Sequence, residues 1–208
     1  MSFFDRVEGA SVRWNVLRHP FYTRWSRGEL SRDELAFYAG EYRHLVVALA
    51  ETARRSTDAA HAAEEADHIA LWDRFAGAVG ADTTRVPLPE TSACAVAWTA
   101  GGPEGLAVLY AVESAQPAIS QTKLDGLLRH YGLTDGEGTS YFRAHSTLDV
   151  EHAAHAREQL EPRLGETDED ALVAAAASAL EGNWHMLSGV QRFPAQEPGY
   201  NCHQAARR

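Results

Sequence analysis

The sequence has two cysteines, one lysine and no long apolar run. Cys94 and Cys202 do not form a Cys-x-x-Cys pair and suggest no disulfide framework, so a reducing cytoplasm is the expected location. No stretch approaches the roughly 18 apolar residues that a membrane span needs. The opening MSFFDRVEGASVRWNV carries charges too early for the apolar core of a signal peptide. These absences predict a cytoplasmic protein without a membrane partner.

Positive charge is also scarce. The chain has 19 Lys and Arg against 29 Asp and Glu, which gives a formal net charge of −10. Arginine supplies nearly all of the positive charge, and Lys123 is the only lysine. Because neutralising phosphates requires clustered Lys and Arg, this balance argues against a protein whose main role is to bind nucleic acid.

Alternating β-branched residues, which are typical of half-buried strands, are missing too, and helical periodicity dominates the chain. The clearest helix start is the capping box that Ser31 and Glu34 are expected to form. We therefore predict an all-α protein of seven or eight helices. At 208 residues the chain is long enough for one domain, with helices over 1–193 and a C-terminal tail over 194–208.

The segment HSTLDVEH places His145, Asp149 and His152 in a predicted helix from about 139 to 161. Spacings of four and three put the three side chains on one stripe of a helix. Two imidazoles and a carboxylate directed at one point suit a transition metal, and a polar helix surface is the alternative interpretation. This motif is the most specific indication of a metal site in the chain.

Two further predicted helices carry acids or imidazoles on apolar or small-residue faces. One of them has Glu65 and His68 at a spacing of three. The other runs from about 104 to 131, has Pro117 inside it, and carries Glu113 among apolar and small neighbours. Because burying an unpaired carboxylate is costly, Glu113 should have a partner. Helical bundles that direct glutamates and a Glu-x-x-His pair inward build di-iron carboxylate sites, and such mixed ligands suit iron or manganese.

The first ligand helix leaves alternatives open. Glu64 and Glu65 are adjacent, so one of them should face solvent. Four residues of the same types are not expected to be ligands: His61, Glu151, His155 and His185. Of these, His61 could still join the site, because it lies four residues before Glu65.

Three segments resemble those of one known superfamily. These are HPFYTRWSRGELSRDELAFYAGEYRHLV, HIALWDRFAGAVG and NWHMLSGV, and the resemblance covers roughly residues 12 to 190. The superfamily is the haem-oxygenase-like group, which contains TENA/thiaminase II proteins, pyrroloquinoline quinone synthase C and di-iron oxidases. The resemblance implies a single-domain haem-oxygenase-like helical bundle, and relatives of this fold commonly form homodimers.

The di-iron oxidases of this group have a glutamate and a histidine on one helix, a glutamate on the next and His-x-x-x-Asp-x-x-His on a third. By resemblance, the catalytic and metal-ligating residues are Glu65, His68, Glu113, His145, Asp149 and His152. The resemblance implies two iron ions bridged by Glu113 or Asp149, dioxygen as co-substrate and an external electron donor. Some members have their glutamate seven residues before the histidine, at the position that His61 occupies here.

The implied function is that of an oxidase or oxygenase acting on a small molecule in specialised metabolism. Members of the group N-oxygenate amines, or oxidatively cleave or decarboxylate amino and fatty acids. One alternative is a metal-free enzyme of the same fold, whose histidines act as acids and bases. Another is a non-enzymatic helical interaction domain. The thiaminase II branch uses a cysteine nucleophile, and neither Cys94 nor Cys202 lies in a matching segment.

Overall fold

The described chain is built from α-helices. A computed structural model describes residues 1–193, so the predicted tail over 194–208 lies outside the described residues. Within 1–193 there are nine α-helices, three short 3-10 helices and no β-strand. The α-helices are α1 (Phe3–Arg13), α2 (Pro20–Ser26), α3 (Arg32–Ser56), α4 (Ala59–Val79), α5 (Pro89–Trp98), α6 (Gly102–His130), α7 (Ser140–His145), α8 (Leu148–Leu160) and α9 (Glu169–Gln191). The 3-10 helices are Val16–Arg18, Glu137–Thr139 and Glu161–Glu166. The predicted all-α class is confirmed.

Over the same residues, every helix is either too short or too polar to cross a membrane.

The long helix α3 packs against α4, α5, α6 and α9. It begins at the predicted capping box, which is confirmed: the Ser31 hydroxyl accepts from the N–H of Glu34, and the Glu34 carboxylate accepts from the N–H of Ser31. Arg24 on α2 donates to the same carboxylate at 2.7 Å. A cap of this kind stabilises a helix by about 1 kcal/mol. The start of α3 is therefore fixed against α2, and this holds the tyrosines of α3 inside the core.

The inner face of α4 changes character along its length. The helix begins at Asp58, whose carboxylate accepts from two N–H groups of the first turn, and it ends at Gly80 with a left-handed φ of 78°. Its buried side chains recur every three or four residues: His61, Glu65, His68, Trp72, Phe75, Ala76 and Val79. The first three form what we call the polar half of α4, and the last four form its aromatic half.

Pro117 lies inside α6, as the sequence predicts, and the helix continues through it. Proline has no N–H, so the carbonyl of Glu113, four residues earlier, loses its helical donor. The same turn carries the buried side chains of Glu113 and Gln116. α6 packs against α3, α8 and α9, so this irregular turn faces the middle of the bundle.

The predicted continuous helix over 139–161 is wrong, because α7 and α8 are separate helices. Ser146 and Thr147 divide them, and their hydroxyls donate to backbone carbonyls three residues earlier. Such local hydrogen bonds compete with helical backbone pairing. His145 therefore ends α7 and does not share one helical stripe with Asp149. This division contributes to a count of nine helices in the described chain, where seven or eight were expected.

Candidate metal centre

Imidazole and carboxylate side chains from four helices meet in the interior. The polar half of α4 supplies three of them, α6 and α7 supply one each, and α8 supplies two. The seven residues are His61, Glu65, His68, Glu113, His145, Asp149 and His152. Their exposed fractions range from 1% to 7%. All six ligand residues expected from the sequence are thus buried, and His61 is buried with them.

One group of ligand atoms joins α4, α6 and α8. His61, Glu65, Glu113 and His152 each offer an atom, and these atoms lie within 4.8 Å of one another. His61 Nε2 is 3.3 Å from Glu113 Oε1, and His152 Nδ1 is 3.5 Å from Glu65 Oε1. The rings of His61 and His152 stack with centroids 4.3 Å apart. Two imidazoles and two carboxylates therefore surround one point.

A second group joins α4 and α7. It consists of Glu65, His68 and His145, again with ligand atoms within 4.8 Å of one another. His68 Nδ1 is 2.8 Å from Glu65 Oε1, and the two imidazole centroids are 4.1 Å apart. Glu65 belongs to both groups. The geometry therefore makes Glu65 the shared carboxylate, whereas the resemblance assigned bridging to Glu113 or Asp149.

Asp149 lies beside both groups but belongs to neither. Its side chain is 1% exposed, and its Oδ1 is 3.7 Å from His152 Nδ1. Neither carboxylate oxygen accepts a hydrogen bond from any of the residues over 1–193. A buried carboxylate without a donor is unstable unless a cation or a proton neutralises it. Asp149 is therefore placed to complete the shell of a bound cation.

Unpartnered polar atoms are concentrated in these groups. Both Glu113 oxygens, both His61 nitrogens and the Nδ1 atoms of His68 and His152 are buried without a hydrogen-bond partner. Several of them approach one another closely, yet no hydrogen is aligned between them. Lone pairs that converge without donors are the arrangement that metal ligands adopt. The residues present therefore fit a transition metal with mixed nitrogen and oxygen ligands.

Two neighbouring acceptors orient the imidazoles. The Nδ1 of His145 is 2.7 Å from the backbone carbonyl of Tyr141, so Nδ1–H donates there and Nε2 keeps its lone pair. The Nε2 of His152 is 2.9 Å from the Glu64 carboxylate, which leaves Nδ1 facing Glu65. Hydrogen bonds of this type fix the ring and raise the basicity of a ligating histidine. Glu64 is 58% exposed at its side chain, whereas Glu65 is 3% exposed, so the two adjacent glutamates do differ in direction.

The family of the chain follows from a model that spans this centre. A family model described as iron-containing redox enzyme matches residues 44–184, which include all seven side chains. The chain belongs to this family. Because the family is one of enzymes, the alternative of a non-enzymatic interaction domain is wrong.

Curated relatives match nearly the whole length of the chain. The 4-aminobenzoate synthase of Nitrosomonas europaea is 30% identical and covers 91% of this chain and 91% of its own. That of Chlamydia muridarum is 28% identical, over 98% and 94%. A pyrroloquinoline-quinone synthase of Pseudomonas aeruginosa is 24% identical, over 95% and 90%.

Solved structures confirm the haem-oxygenase-like fold. A domain of unknown function with that fold from Shewanella denitrificans superimposes with a TM-score of 0.75 at 22% identity, covering 97% of this chain and 99% of its own. A TenA homologue from Pseudomonas syringae pv. tomato gives a TM-score of 0.73 at 15% identity, covering 91% of each chain.

The acids of the centre differ in charge when no metal is bound. Burial, together with the charges of Glu65 and Asp149, raises the pKa of Glu113 well above its ordinary value. Burial also raises the pKa of Asp149 to about 6. For Glu65, burial acts in the same direction, but the neighbouring histidines, His68 foremost, hold its pKa below the ordinary value. Without a metal, bound protons therefore neutralise part of the negative charge that a cation would otherwise neutralise.

The histidines are shifted in opposite directions. Burial, with the nearby His68, lowers the pKa of His145 to about 3, so this ring is neutral and able to ligate. For His152, burial opposes protonation, but the carboxylates of Asp149 and Glu64 raise its pKa to about 9. A metal at Nδ1 of His152 would have to displace a proton.

One buried group near the centre was not predicted from the sequence. Lys123 on α6 is 0% exposed, and its Nζ has no hydrogen-bond partner. Five aromatic rings lie around the amine at 4.3 to 5.7 Å: those of Tyr22, Tyr38, Tyr42, Trp72 and Phe142. Burial lowers its pKa to about 7, with the charge of Asp149 acting the other way. The sequence offered one indication of it, since Lys123 is the only lysine.

Two residue types that raise other chemical possibilities, cysteine and histidine, also occur outside the two ligand groups. Cys94 is buried in α5, and burial raises the pKa of its thiol, which disfavours the thiolate that a nucleophile needs. Cys202 lies outside the described residues. His155 is half-buried beside the centre: it pairs with Asp58 at 2.8 Å, and its ring centroid lies 5.9 Å from that of His61. His185 is exposed on α9 beside Glu181.

Proposed function

We propose that the chain is a non-haem di-iron oxidase or oxygenase that uses dioxygen on a small molecule. The observation that carries the proposal is the pair of ligand groups that share Glu65. One iron would be held by His61, Glu113 and His152, the other by His68 and His145, with Glu65 between them and Asp149 alongside. Iron bound here would supply the electrons and open coordination positions that dioxygen chemistry requires.

The protein residues supply the remaining requirements. The centre is enclosed by the bundle, so bulk water is excluded and charges interact strongly. The Tyr141 carbonyl and the Glu64 carboxylate hold two imidazoles in their ligating orientation. Catalytic turnover would also need electrons from a substrate or an external donor, because two ferrous ions supply only two. The 4-aminobenzoate synthases among the curated relatives make 4-aminobenzoate the product to assay first.

An anaerobic Fe²⁺ titration tests the proposal. Two iron ions per chain are expected for the unaltered protein, with dioxygen consumption when air is admitted. His61→Ala and His145→Ala should each retain about one iron, because each change removes a ligand of one group. Glu65→Ala should bind neither iron tightly. His185→Ala, an exposed imidazole on α9, is the control and should retain two.

The outcomes separate this function from its alternative. Protein that binds no iron at concentrations well above micromolar, yet forms product, would be a metal-free enzyme of the same fold. A stoichiometry of one iron that His61→Ala and His145→Ala abolish equally would contradict the two-group centre. Homodimerisation and a cytoplasmic location remain part of the proposal, and the oligomeric state is measured in solution by light scattering.

A further inference from the structure

Two pairs of histidine and carboxylate side chains lie at the surface where α4 meets α8, at what we call the α4–α8 seam. His155 Nε2 is 2.8 Å from Asp58 Oδ2, and His152 Nε2 is 2.9 Å from Glu64 Oε2. The other oxygen of Asp58 caps α4, so Oδ2 is left for His155. The side chains of Asp58, Glu64 and His155 are 49%, 58% and 39% exposed, whereas that of His152 is buried. The seam therefore joins solvent to the edge of the metal centre.

His61 lies immediately inside the pair of Asp58 and His155. Its side chain is 4% exposed, and neither of its ring nitrogens has a hydrogen-bond partner within residues 1–193. Its ring meets that of His155 edge to face with centroids 5.9 Å apart, and it stacks on that of His152. A buried imidazole without partners indicates a ligand that brings positive charge. The contact with His155 places this imidazole one side chain away from solvent.

The seam is closed by side chains more than by backbone packing. α4 packs chiefly against α3, and α8 packs chiefly against α6, so these pairs make much of the contact between α4 and α8. On the other side of the centre, the ring of Tyr141 stacks on that of His145 with centroids 3.8 Å apart. Side-chain rotation is much faster than the separation of packed helices. Passage through the seam therefore needs only side-chain rotations.

The charge along the seam favours a cation. Over residues 58 to 73, α4 carries five acids and no Lys or Arg. The one arginine of α8, Arg157, is directed to α1, where it lies over the ring of Phe4. Negative surface charge raises the local concentration of cations and speeds their association, and it repels anions. Carboxylate and imidazole groups are also ligands that Fe²⁺ accepts in exchange for water.

We propose that the α4–α8 seam is the entry route for Fe²⁺, with Asp58 and His155 as transient ligands that deliver the ion to His61. The proposal rests on the function proposed above, because it requires an iron centre in the polar half of α4. It gives Asp58 a second role besides the capping of α4. His155 contacts the ion only during passage and is no ligand of the loaded centre.

The rate of iron uptake by the metal-free protein tests the proposal. Protein and Fe²⁺ are mixed rapidly under anaerobic conditions, and the ion that remains free is trapped at set times with a chromogenic chelator. Asp58→Asn retains a side chain that caps helices equally well but removes the charge. It should slow uptake about tenfold at low ionic strength, the lower end for electrostatic steering. His155→Ala should also slow uptake, because it removes the transient imidazole ligand. Both variants should still bind two iron ions.

Comparison of uptake with release distinguishes a residue of the route from a ligand of the centre. A residue that contacts the ion only in transit affects both rates by the same factor. His155→Ala should therefore slow release to the chelator as much as uptake and leave the Kd unchanged. Glu181→Gln, in the exposed pair of Glu181 and His185 on α9, removes the same charge away from the seam and should change neither rate. Added salt should slow uptake by the unaltered protein more than by Asp58→Asn, because salt screens exposed charges.

Uptake that is unchanged in both Asp58→Asn and His155→Ala would overturn the entry route, as would faster uptake by His155→Ala. Loss of one iron in His155→Ala would make this residue a permanent ligand and contradict its transient role. The two proposals fail in distinguishable ways. Protein that takes up no iron would remove both, whereas two iron ions taken up at unchanged rates by both variants would remove only the entry route.

Discussion

The polar and aromatic halves of α4 are equally buried but satisfy their polar atoms in different ways. In the aromatic half, the Trp72 indole N–H donates to the Ala39 carbonyl at 2.8 Å. Two other buried indoles behave alike: Trp25 donates to the Lys123 carbonyl and Trp98 to the Ala179 carbonyl. In the polar half, buried nitrogens of His61 and His68 have no partner. The buried indole N–H of the aromatic half has its hydrogen-bond partner within the protein. The buried polar atoms of the polar half need a cation or bound protons instead.

The two halves should therefore respond differently to change. Loss of a side chain from the aromatic half should destabilise the chain with or without metal. Loss of a side chain from the polar half should matter chiefly when iron is present, since its unpaired groups already weaken the metal-free fold. Mutations in and around the two halves, and the pH dependence of metal binding, test this difference.

The largest effect is expected for Trp72→Ala. The indole is fully buried against Tyr42, Phe75 and Tyr141, and its removal leaves a cavity and abolishes the hydrogen bond to the Ala39 carbonyl. Unfolding in urea should show a loss of about 3–5 kcal/mol. The loss should be the same in the presence and absence of Fe²⁺. Trp184→Ala, at a half-buried site on α9, is the comparison and should cost less.

Fe²⁺ should stabilise the chain through the polar half. At a hundredfold excess over its dissociation constant, a ligand that binds only the folded state adds about 2.7 kcal/mol. For a chain of this size this raises the Tm by about 5–11 °C, measured by scanning calorimetry under anaerobic conditions. Glu65→Ala should show almost no shift. A full shift in Glu65→Ala would contradict the assignment of this residue to both groups.

Lys123→Met should stabilise the metal-free protein at neutral pH. Unfolded, the amine is protonated up to a pKa of about 10.5, whereas burial lowers its folded pKa to about 7. The unfolded state therefore binds more protons between pH 7 and 10.5, and the buried lysine costs stability that is regained as pH rises. The gain from methionine, about 1–4 kcal/mol near pH 7 as for other buried charged groups, should shrink toward pH 10.5. A gain that stays constant with pH would show that the amine is not the cause.

Because unpaired buried bases are typical of functional sites, Lys123→Met should also lower activity.

The smallest change in stability is expected for Glu64→Gln. The glutamate side chain is half-exposed, so its pairing with His152 should contribute less than about 1 kcal/mol. Without this carboxylate the pKa of His152 should fall below about 9, as measured by NMR titration of the metal-free protein. Iron affinity should fall about tenfold, the lower end for loss of a residue that orients a ligating histidine. Glu151→Gln, an exposed glutamate on α8, should change neither.

Proton release offers a further check on the metal centre. Asp149, Glu113 and His152 all hold protons more firmly than ordinary groups of their types in the metal-free protein. Iron must displace those protons, so its affinity should rise as pH increases from about 6 to 8. Calorimetric titrations in buffers of different ionisation enthalpy would count the protons. Affinity that is flat over this range would be inconsistent with these ligands.

The helical fold could largely be predicted from the sequence because its signals are local. The capping box at Ser31 and Glu34 and the Asp58 cap of α4 are chemical features of a few neighbouring residues. The break between α7 and α8 was missed because Ser146 and Thr147 are compatible with a helix by pattern alone. In the structure their hydroxyls donate to the carbonyls of Arg143 and Ala144, and the pattern of residue types does not predict these bonds.

For the site, as for the fold, the sequence indicated features that depend on neighbouring residues and missed features that depend on contacts between distant residues. Spacing within one helix identified Glu65 with His68, and Asp149 with His152. It could not decide whether His61 points inward, because that depends on the approach of Glu113 from α6, fifty-two positions later in the chain. The buried amine of Lys123 was missed for a similar reason, since its aromatic surroundings come from five separate positions.

The sharing of Glu65 by two metal positions in the polar half of α4 can be tested directly. Anomalous diffraction at the iron absorption edge, on crystals grown anaerobically with excess Fe²⁺, tests it most directly. We expect two peaks on either side of the Glu65 carboxylate, one near His61 and His152 and one near His68 and His145. A single peak that contacts only one of these groups, or iron bound away from Glu65, would contradict it.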